Sequence, residues 1–291
     1  MKFGRTDLPK NAVLRLPPDH AITAEVLPGS PARAFHLYTG GSKWSLKDLV
    51  GPVYPPGTKA KDMLRVYASL FNAIELNATR YGNFPPATWA KWVAETPPDF
   101  RFCPKVHQSV AQIRRLQNVE EVFRQYLDSV AHAGDKLGPM LLQMPENFGP
   151  EHMDRVVAFA PLVPRGWKLA VEMRHPGWME EPVLTELLTV LRRHKLGAVI
   201  TDSPGRRDMV HMAVTAPYTF VRFVSSDDEA RDASRLHAWI ERLDAWRAKG
   251  LQETWFFVHE AVLGRVPRWT AALQEHLGGS RRTAEPTLFD Q

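Results

Sequence analysis

Short β-rich runs alternate with helical segments along almost the whole of this 291-residue chain, and that alternation restricts the fold more than any other feature. The runs are Phe35–Gly41, Ile74–Tyr81, Phe100–Val106, Gly138–Pro145, Lys168–His175, Ala198–Asp202, Thr219–Ser225 and Glu253–Glu260. Most are followed by apolar residues at helical period. Strand–helix alternation implies a parallel sheet covered by helices. Eight units favour closure, so the expected fold class is α/β: a single-domain (β/α)8 TIM barrel. The barrel is expected over residues 35–277, with an N-terminal extension over 1–34 and a flexible C-terminal tail over 278–291. No Gly-rich fingerprint follows the first run, which argues against an open dinucleotide-binding sheet.

The helices carry recognisable ends. Asn118, with Glu121 three residues on, predicts a capping-box start for a helix with Phe123, Tyr126 and Val130 on one face. Pro182 suits a first helical position before Leu184, Leu187, Leu188 and Leu191, with Gly197 beyond the end. Leu236, Trp239, Ile240, Leu243 and Trp246 form another stripe, closed by Gly250. The segment Ser203–Pro217 reads as a loop, so the unit after the sixth strand is the weakest. Pro17, Pro18, Pro28 and Pro31 predict an extended N-terminal segment wrapping the barrel.

Composition narrows the function classes. One cysteine, Cys103, excludes an intramolecular disulfide and a cysteine zinc site. No apolar run approaches the ~20 residues of a membrane span, and the first 31 residues lack signal-peptide character. A cytoplasmic protein with no membrane partner is expected. The net charge of +5 is mild and its basic residues are dispersed, so it permits nucleic-acid binding without arguing for it.

The side-chain parity of the strands points to a site. Alternate residues of a strand face opposite sides. In Ile74-Glu75-Leu76-Asn77 the apolar pair faces the helices and Glu75 and Asn77 face inward. The same test turns Lys105, Gln143, Glu172, Arg174, Arg222 and His259 inward, and Asp202 ends the sixth strand. Unpaired charges are almost never buried, and this fold places its chemistry at the C-terminal ends of the strands. Glu172, Glu75 and Asp202 are the candidate catalytic acids, with Glu172 as general base. Asn77, Lys105, Gln143, Arg174, His175, Arg222 and His259 would hold the substrate. Trp44 and Trp178, after strands one and five, are candidates to stack on a sugar face or to be core. Three acids against three strong bases leave a self-neutralised ion-pair floor as the alternative reading. The cations disfavour a divalent metal among Glu75, Glu172, Asp202, His175 and His259, so no metal or cofactor is expected.

Several segments carry a resemblance. They are Tyr-Thr-Gly-Gly-Ser-Lys-Trp (38–44), Ile-Glu-Leu-Asn-Ala-Thr-Arg-Tyr (74–81), Phe-Cys-Pro-Lys (102–105), Leu-Leu-Gln-Met-Pro (141–145) and Val-Glu-Met-Arg-His-Pro-Gly-Trp (171–178). Further matches are Thr-Asp-Ser-Pro-Gly-Arg-Arg-Asp-Met-Val-His-Met (201–212), Val-Arg-Phe (221–223) and Trp-Phe-Phe-Val-His (255–259). In this order they resemble the YecE-like family, domain-of-unknown-function family 72. The resemblance implies a (β/α)8 barrel with no settled activity. It carries over Glu75, Asn77, Lys105, Gln143, Glu172, Arg174, Trp178 and Arg222. The chain departs from the family's usual Phe at Arg80, from its Ser-His or Thr-His at Ala111-Gln112, and from its Gly at Ser225.

Three functions compete. The first is an enzyme acting on a small polar or anionic substrate, such as a sugar or sugar phosphate, by general acid–base chemistry. The second is a nucleic-acid-linked protein, which the basic pI and the Arg206-Arg207 loop would serve. The third is a ligand-sensing or scaffold barrel without catalysis. The terminal Pro-Thr-Leu-Phe-Asp offers Leu288-Phe289 as a partner peptide, loosely resembling peptides that dock on bacterial sliding clamps. The sequence sets no oligomeric state.

Overall fold

The computed structural model describes residues 12–226, 228–259 and 263–278. The expected tail peptide and Glu260 lie outside them. Eight strands are present among the described residues: β1 (His36–Gly40), β2 (Ala73–Leu76), β3 (Arg101–Pro104), β4 (Met140–Gln143), β5 (Leu169–Glu172), β6 (Gly197–Asp202), β7 (Tyr218–Val224) and β8 (Glu253–His259). Each overlaps the run expected for it, and every strand pair is parallel. Six strands form one sheet in the order β1-β8-β7-β6-β5-β4, and β2 pairs with β3 in a second. The helices are α1 (Ala21–Val26), α2 (Met63–Leu70), α3 (Pro86–Ala94), α4 (Glu120–Val130), α5 (Met153–Phe159), α6 (Val183–Arg193), α7 (Glu229–Ala248) and α8 (Val266–Leu277). Between β6 and β7 only a 3-10 turn, Arg207–Met209, interrupts the loop.

The helix ends differ locally from expectation. Asn118 forms no capping box: the N-cap is Val119, without a side-chain hydrogen bond, and Asn118 sits at φ +51°. Pro182 is the N-cap of α6 rather than its first residue. Gly197 opens β6, and Lys195, at φ +56°, makes the left-handed exit from α6. The N-terminal segment is not extended throughout, because α1 interrupts it. The Thr23 hydroxyl donates to Met212 O at 3.0 Å and accepts from Val214 N at 3.0 Å, pinning α1 to the loop before β7.

The strands are sided. Ile74, Leu76, Leu169, Val171, Met173, Val221, Phe223 and Val258 pack against the helices in the larger apolar cluster. The opposite parity supplies a second cluster of Ala73, Cys103, Leu141, Ala170, Val199, Phe220, Trp255 and Phe257, with Tyr38 against it. Tyr38 and Trp255 stack at 4.0 Å. This inner cluster lies below the polar end of the concave side.

The two sheets meet along both edges. At the β3–β4 edge, Gly138 N donates to Phe102 O at 2.8 Å and Val106 N to Leu141 O at 2.9 Å. At the β1–β2 edge side chains substitute for a ladder. Asn72 Oδ1 accepts from Thr39 N at 2.8 Å while its Nδ2 donates to Leu37 O at 2.8 Å. The Tyr67 hydroxyl accepts from Gly41 N at 2.8 Å and donates to Ala73 O at 3.0 Å. Glu75 N donates to Gly41 O at 3.1 Å, which fixes the backbone of a candidate site residue. The approach is close enough to require glycine at position 40: a Cβ there would lie 2.0 Å from Ala73 O and 2.6 Å from the Tyr67 hydroxyl. Gly40→Ala is therefore expected to separate β1 from β2 and lower stability by ~2 kcal/mol or more. Gly82→Ala, where a Cβ meets nothing within 4 Å, should stay within ~0.5 kcal/mol of the parent. Urea unfolding of the two variants checks this, and equal effects would refute the constraint.

Candidate functional site

Charged residues converge where the strands of the concave side end. Arg222, on β7, is the centre. Its Nε donates to Glu75 Oε2 at 2.9 Å and its Nη2 to Glu75 Oε1 at 3.1 Å. Its Nη1 donates to Glu172 Oε1 at 2.9 Å and Oε2 at 3.1 Å. Glu75 and Glu172, on β2 and β5, have no exposed surface, while Arg222 is 7% exposed. The other carboxylate lone pairs are met by neutral groups. Asn77 Nδ2 donates to Glu75 Oε1 at 3.1 Å and His259 Nε2 lies 3.0 Å from Glu75 Oε2. The Thr201 hydroxyl donates to Glu172 Oε1 at 2.7 Å, and Gln143 Nε2 donates to Glu172 Oε2. Gln143 Oε1 in turn accepts from Lys105 Nζ at 2.7 Å. Arg174 Nε lies 3.7 Å from Glu172 Oε1.

These contacts set the ionisation. Burial alone would raise both carboxyls, but Arg222 with His259 holds Glu75 well below the usual range. Arg222, Arg174 and hydrogen bonds from Gln143 and Thr201 bring Glu172 down to about 2 against the same burial. Burial works against the charge of Arg222, and the two carboxylates overcome it, so its pKa rises. Burial lowers the His259 pKa, although Glu75 pulls the other way, so the ring is neutral near pH 7. Since ionised Glu75 can only accept, His259 Nε2 must carry the hydrogen, which leaves Nδ1 as an acceptor.

Eight of the twelve expected site residues form this cluster: Glu75, Asn77, Lys105, Gln143, Glu172, Arg174, Arg222 and His259. Four do not. Asp202 points the other way, because Thr201 takes the inward position on β6. The Asp202 carboxylate is buried against α7, 2.7 Å from Arg235 Nη2 and 2.8 Å from Trp239 Nε1, and also pairs with Arg207. Trp178 is fully buried, its Nε1 donating to Phe148 O at 2.6 Å, and offers no open face to a sugar. His175 caps its own turn, Nδ1 accepting from Gly177 N at 3.1 Å. Trp44 packs edge-on against Trp92 of α3, ring centroids 5.4 Å apart. Thr201 was missed, although the parity test applied to β6 selects it: Ile200 and Asp202 share the helix-facing side. Arg206 and Arg207 of the expected nucleic-acid loop pair with Asp208 and Asp202. Among the described residues no three of His, Cys, Asp and Glu are grouped to hold a metal ion, and no helix is long and apolar enough to cross a membrane.

Known proteins share this framework. The family described as Protein of unknown function DUF72 matches residues 38–289. The chain is 26% identical over 233 residues to the UPF0759 protein YecE of Escherichia coli K12, covering 74% of this chain and 85% of that protein. It is 28% identical over 201 residues to the UPF0759 protein YunF of Bacillus subtilis, covering 64% and 69%. A DUF72 family protein of Enterococcus faecalis superposes with a TM-score of 0.66 at 21% identity, covering 84% of this chain and 96% of that one. One from Thermotoga maritima gives 0.64 at 23%, covering 84% and 99%. At these identities the solved structures speak to fold alone.

Arg222→Met removes the cation from two buried carboxylates and is expected to lower stability by about 3–5 kcal/mol. The sign with pH separates this from lost packing. In the parent, Glu172 has a depressed pKa, so its contribution is full above the ordinary 4.5 and is lost as pH falls toward about 2. In the variant burial prevails and the carboxyl pKa rises, so the penalty applies above that raised value and disappears as pH falls toward 4.5. Urea curves from pH 7 to 4 should show the deficit shrinking with acid. A constant deficit would point to packing instead.

Proposed function

The chain belongs to the DUF72 family, proteins of unknown function, and we propose that its polar cluster binds a small anionic substrate, of the sugar-phosphate kind, and moves a proton on it. One observation carries this reading. The cluster gathers three cationic side chains, Arg222, Arg174 and Lys105, at the ends of the strands, and cationic N–H donors brought together in this way are the chemistry that holds an anion.

We place the two sheets together as one eight-stranded barrel, supported by the hydrogen bonds along both edges, with the site at its C-terminal mouth. Roles then divide by saturation. Glu172 is ionised, but four hydrogen bonds and a pKa near 2 make it a weak base. It serves better as the anchor of Arg222, together with Glu75. The base we assign is His259: neutral, 18% exposed at its side chain, and held by Glu75 through Nε2 so that Nδ1 is left as the acceptor. Arg174 and Lys105 hold the anion, and Asn77 a hydroxyl.

Thermal shift with glyceraldehyde 3-phosphate and ribose 5-phosphate, against glyceraldehyde and ribose, tests the binding. At tenfold over Kd a phosphorylated ligand should stabilise by about 1.4 kcal/mol, or about 3 °C. The uncharged parents should do nothing, and Arg174→Met should abolish the shift. No shift from any anion at 10 mM, a concentration of order ten times a millimolar Kd, would remove the reading.

A further inference from the structure

Lys105 stands apart from the other charged groups of the cluster. Its backbone, one residue past β3, is clamped to the end of β2: N–H donates to Leu76 O at 3.0 Å, and the carbonyl accepts from the Thr79 hydroxyl at 2.8 Å. The side chain therefore projects from a rigid point, and at 6% exposure Lys105 is the buried lysine among the described residues. Its Nζ meets a neutral acceptor, Gln143 Oε1 at 2.7 Å, and no described carboxylate lies within ion-pair distance of it. Lys168, by contrast, is paired with Glu253 at 2.5 and 2.7 Å. The Gln143 amide cannot turn to oblige an ammonium further, because its Nε2 is directed at Glu172. Both carboxylates that could have fixed the charge on Lys105 are bonded to Arg222.

We propose that Lys105 is a nucleophilic amine that forms a Schiff base with the carbonyl carbon of the substrate, which is accordingly an anionic aldehyde or ketone. The proposal rests on the anion-site reading above and names its substrate class. The hydrogen bond to Gln143 survives deprotonation, since a neutral amine still has N–H to donate, and the nitrogen lone pair is left for the carbonyl. Burial lowers the Lys105 pKa to about 8, with Arg222 and Arg174 adding to the fall against the opposing pull of Glu75 and Glu172. At pH 7 roughly a tenth of the amine is then neutral, against about one part in 3,000 for an ordinary lysine. The chemistry balances without an oxidant. Lys105, having released its proton to solvent, attacks the carbonyl carbon as the C=O π bond breaks. A proton moves from nitrogen to oxygen to give a carbinolamine, and that hydroxyl takes up a proton from solvent, replacing the one first released, and leaves as water to give the protonated imine. Addition of water reverses each step. The iminium would acidify the neighbouring C–H, whose proton His259, the base assigned above, would accept.

Formaldehyde is the smallest carbonyl and tests the amine without knowledge of the substrate. A brief pulse of labelled formaldehyde and cyanoborohydride at pH 7, read by peptide mass spectrometry on the full chain, is expected to modify Lys105 at least about tenfold faster than exposed Lys43, Lys47 and Lys249. Glyceraldehyde 3-phosphate with borohydride should then leave one reduced adduct, on Lys105. Lys105→Arg should lose the adduct. Lys105 reacting no faster than the surface lysines would overturn the Schiff base, and if anions still shift the melting temperature the anion site stands without it. Fast formaldehyde labelling with no shift from any anion would retain the amine and remove the anion site.

Discussion

The structure depends on a single guanidinium. Arg222 joins β7 to β2 and β5 across the concave side, using Nε and Nη2 for one carboxylate and Nη1 for the other. Lysine could not do this, because an ammonium has no planar fork with two faces of donors at fixed spacing. Desolvating three charges is costly, and removal of Arg222 leaves both carboxylates buried without their common cation. Neutral donors complete the arrangement: Thr201 and Gln143 on Glu172, Asn77 and His259 on Glu75. Every one lies at or just past the end of a strand, so the sheet that brings them together also sets their spacing.

A second buried ion cluster lies one residue away and does different work. Arg235, 2% exposed on α7, donates to Asp202 O at 2.8 Å and to Val224 O at 3.0 Å, and pairs with Asp202 and Asp232. Asp232 also accepts from Ser226 N at 2.8 Å. This cluster bolts α7 to the ends of β6 and β7 and holds the segment after Arg222 in place. Thr201 and Asp202 are neighbours in sequence, yet the pleat sends one to the site and the other to the scaffold.

That division marks how far the sequence could be read. The strands and the inward ring were legible because period-two alternation is local: Ile74 and Leu76 declare their side, and Glu75 follows. Asp202 was misplaced because its chemistry suggested a site while its parity with Ile200 placed it on the helix side. Trp178 was ambiguous because a tryptophan after a strand looks alike whether it stacks on a ligand or, as here, on Phe148 at 6.0 Å. Helix ends were least legible. The Asn118 signature was correct in composition, but Arg115, Leu116 and Asn118 all take left-handed φ values after the π-helical turn Ser109–Ile113, and the helix starts without a side-chain cap. Which carboxylate meets which cation depends on non-local distances that no spacing encodes.

The same geometry bears on the departure at position 112. The resemblance implies a histidine where Gln112 stands, and its loss could suggest lost chemistry. Gln112 Nε2 donates to the main-chain carbonyl of Gln143 at 3.1 Å, and its Oε1 accepts from Arg80 at 3.3 Å. Both contacts are to groups beside the cluster rather than to Glu75 or Glu172. Gln112 thus fixes the backbone from which the Gln143 side chain reaches between Lys105 and Glu172, and Arg80, another of the three departures, is its partner. The two changes are joined by one hydrogen bond and leave the ionisation of the cluster to Arg222. What they alter is the wall of the cluster beside β3 and β4, at the backbone that carries Gln143.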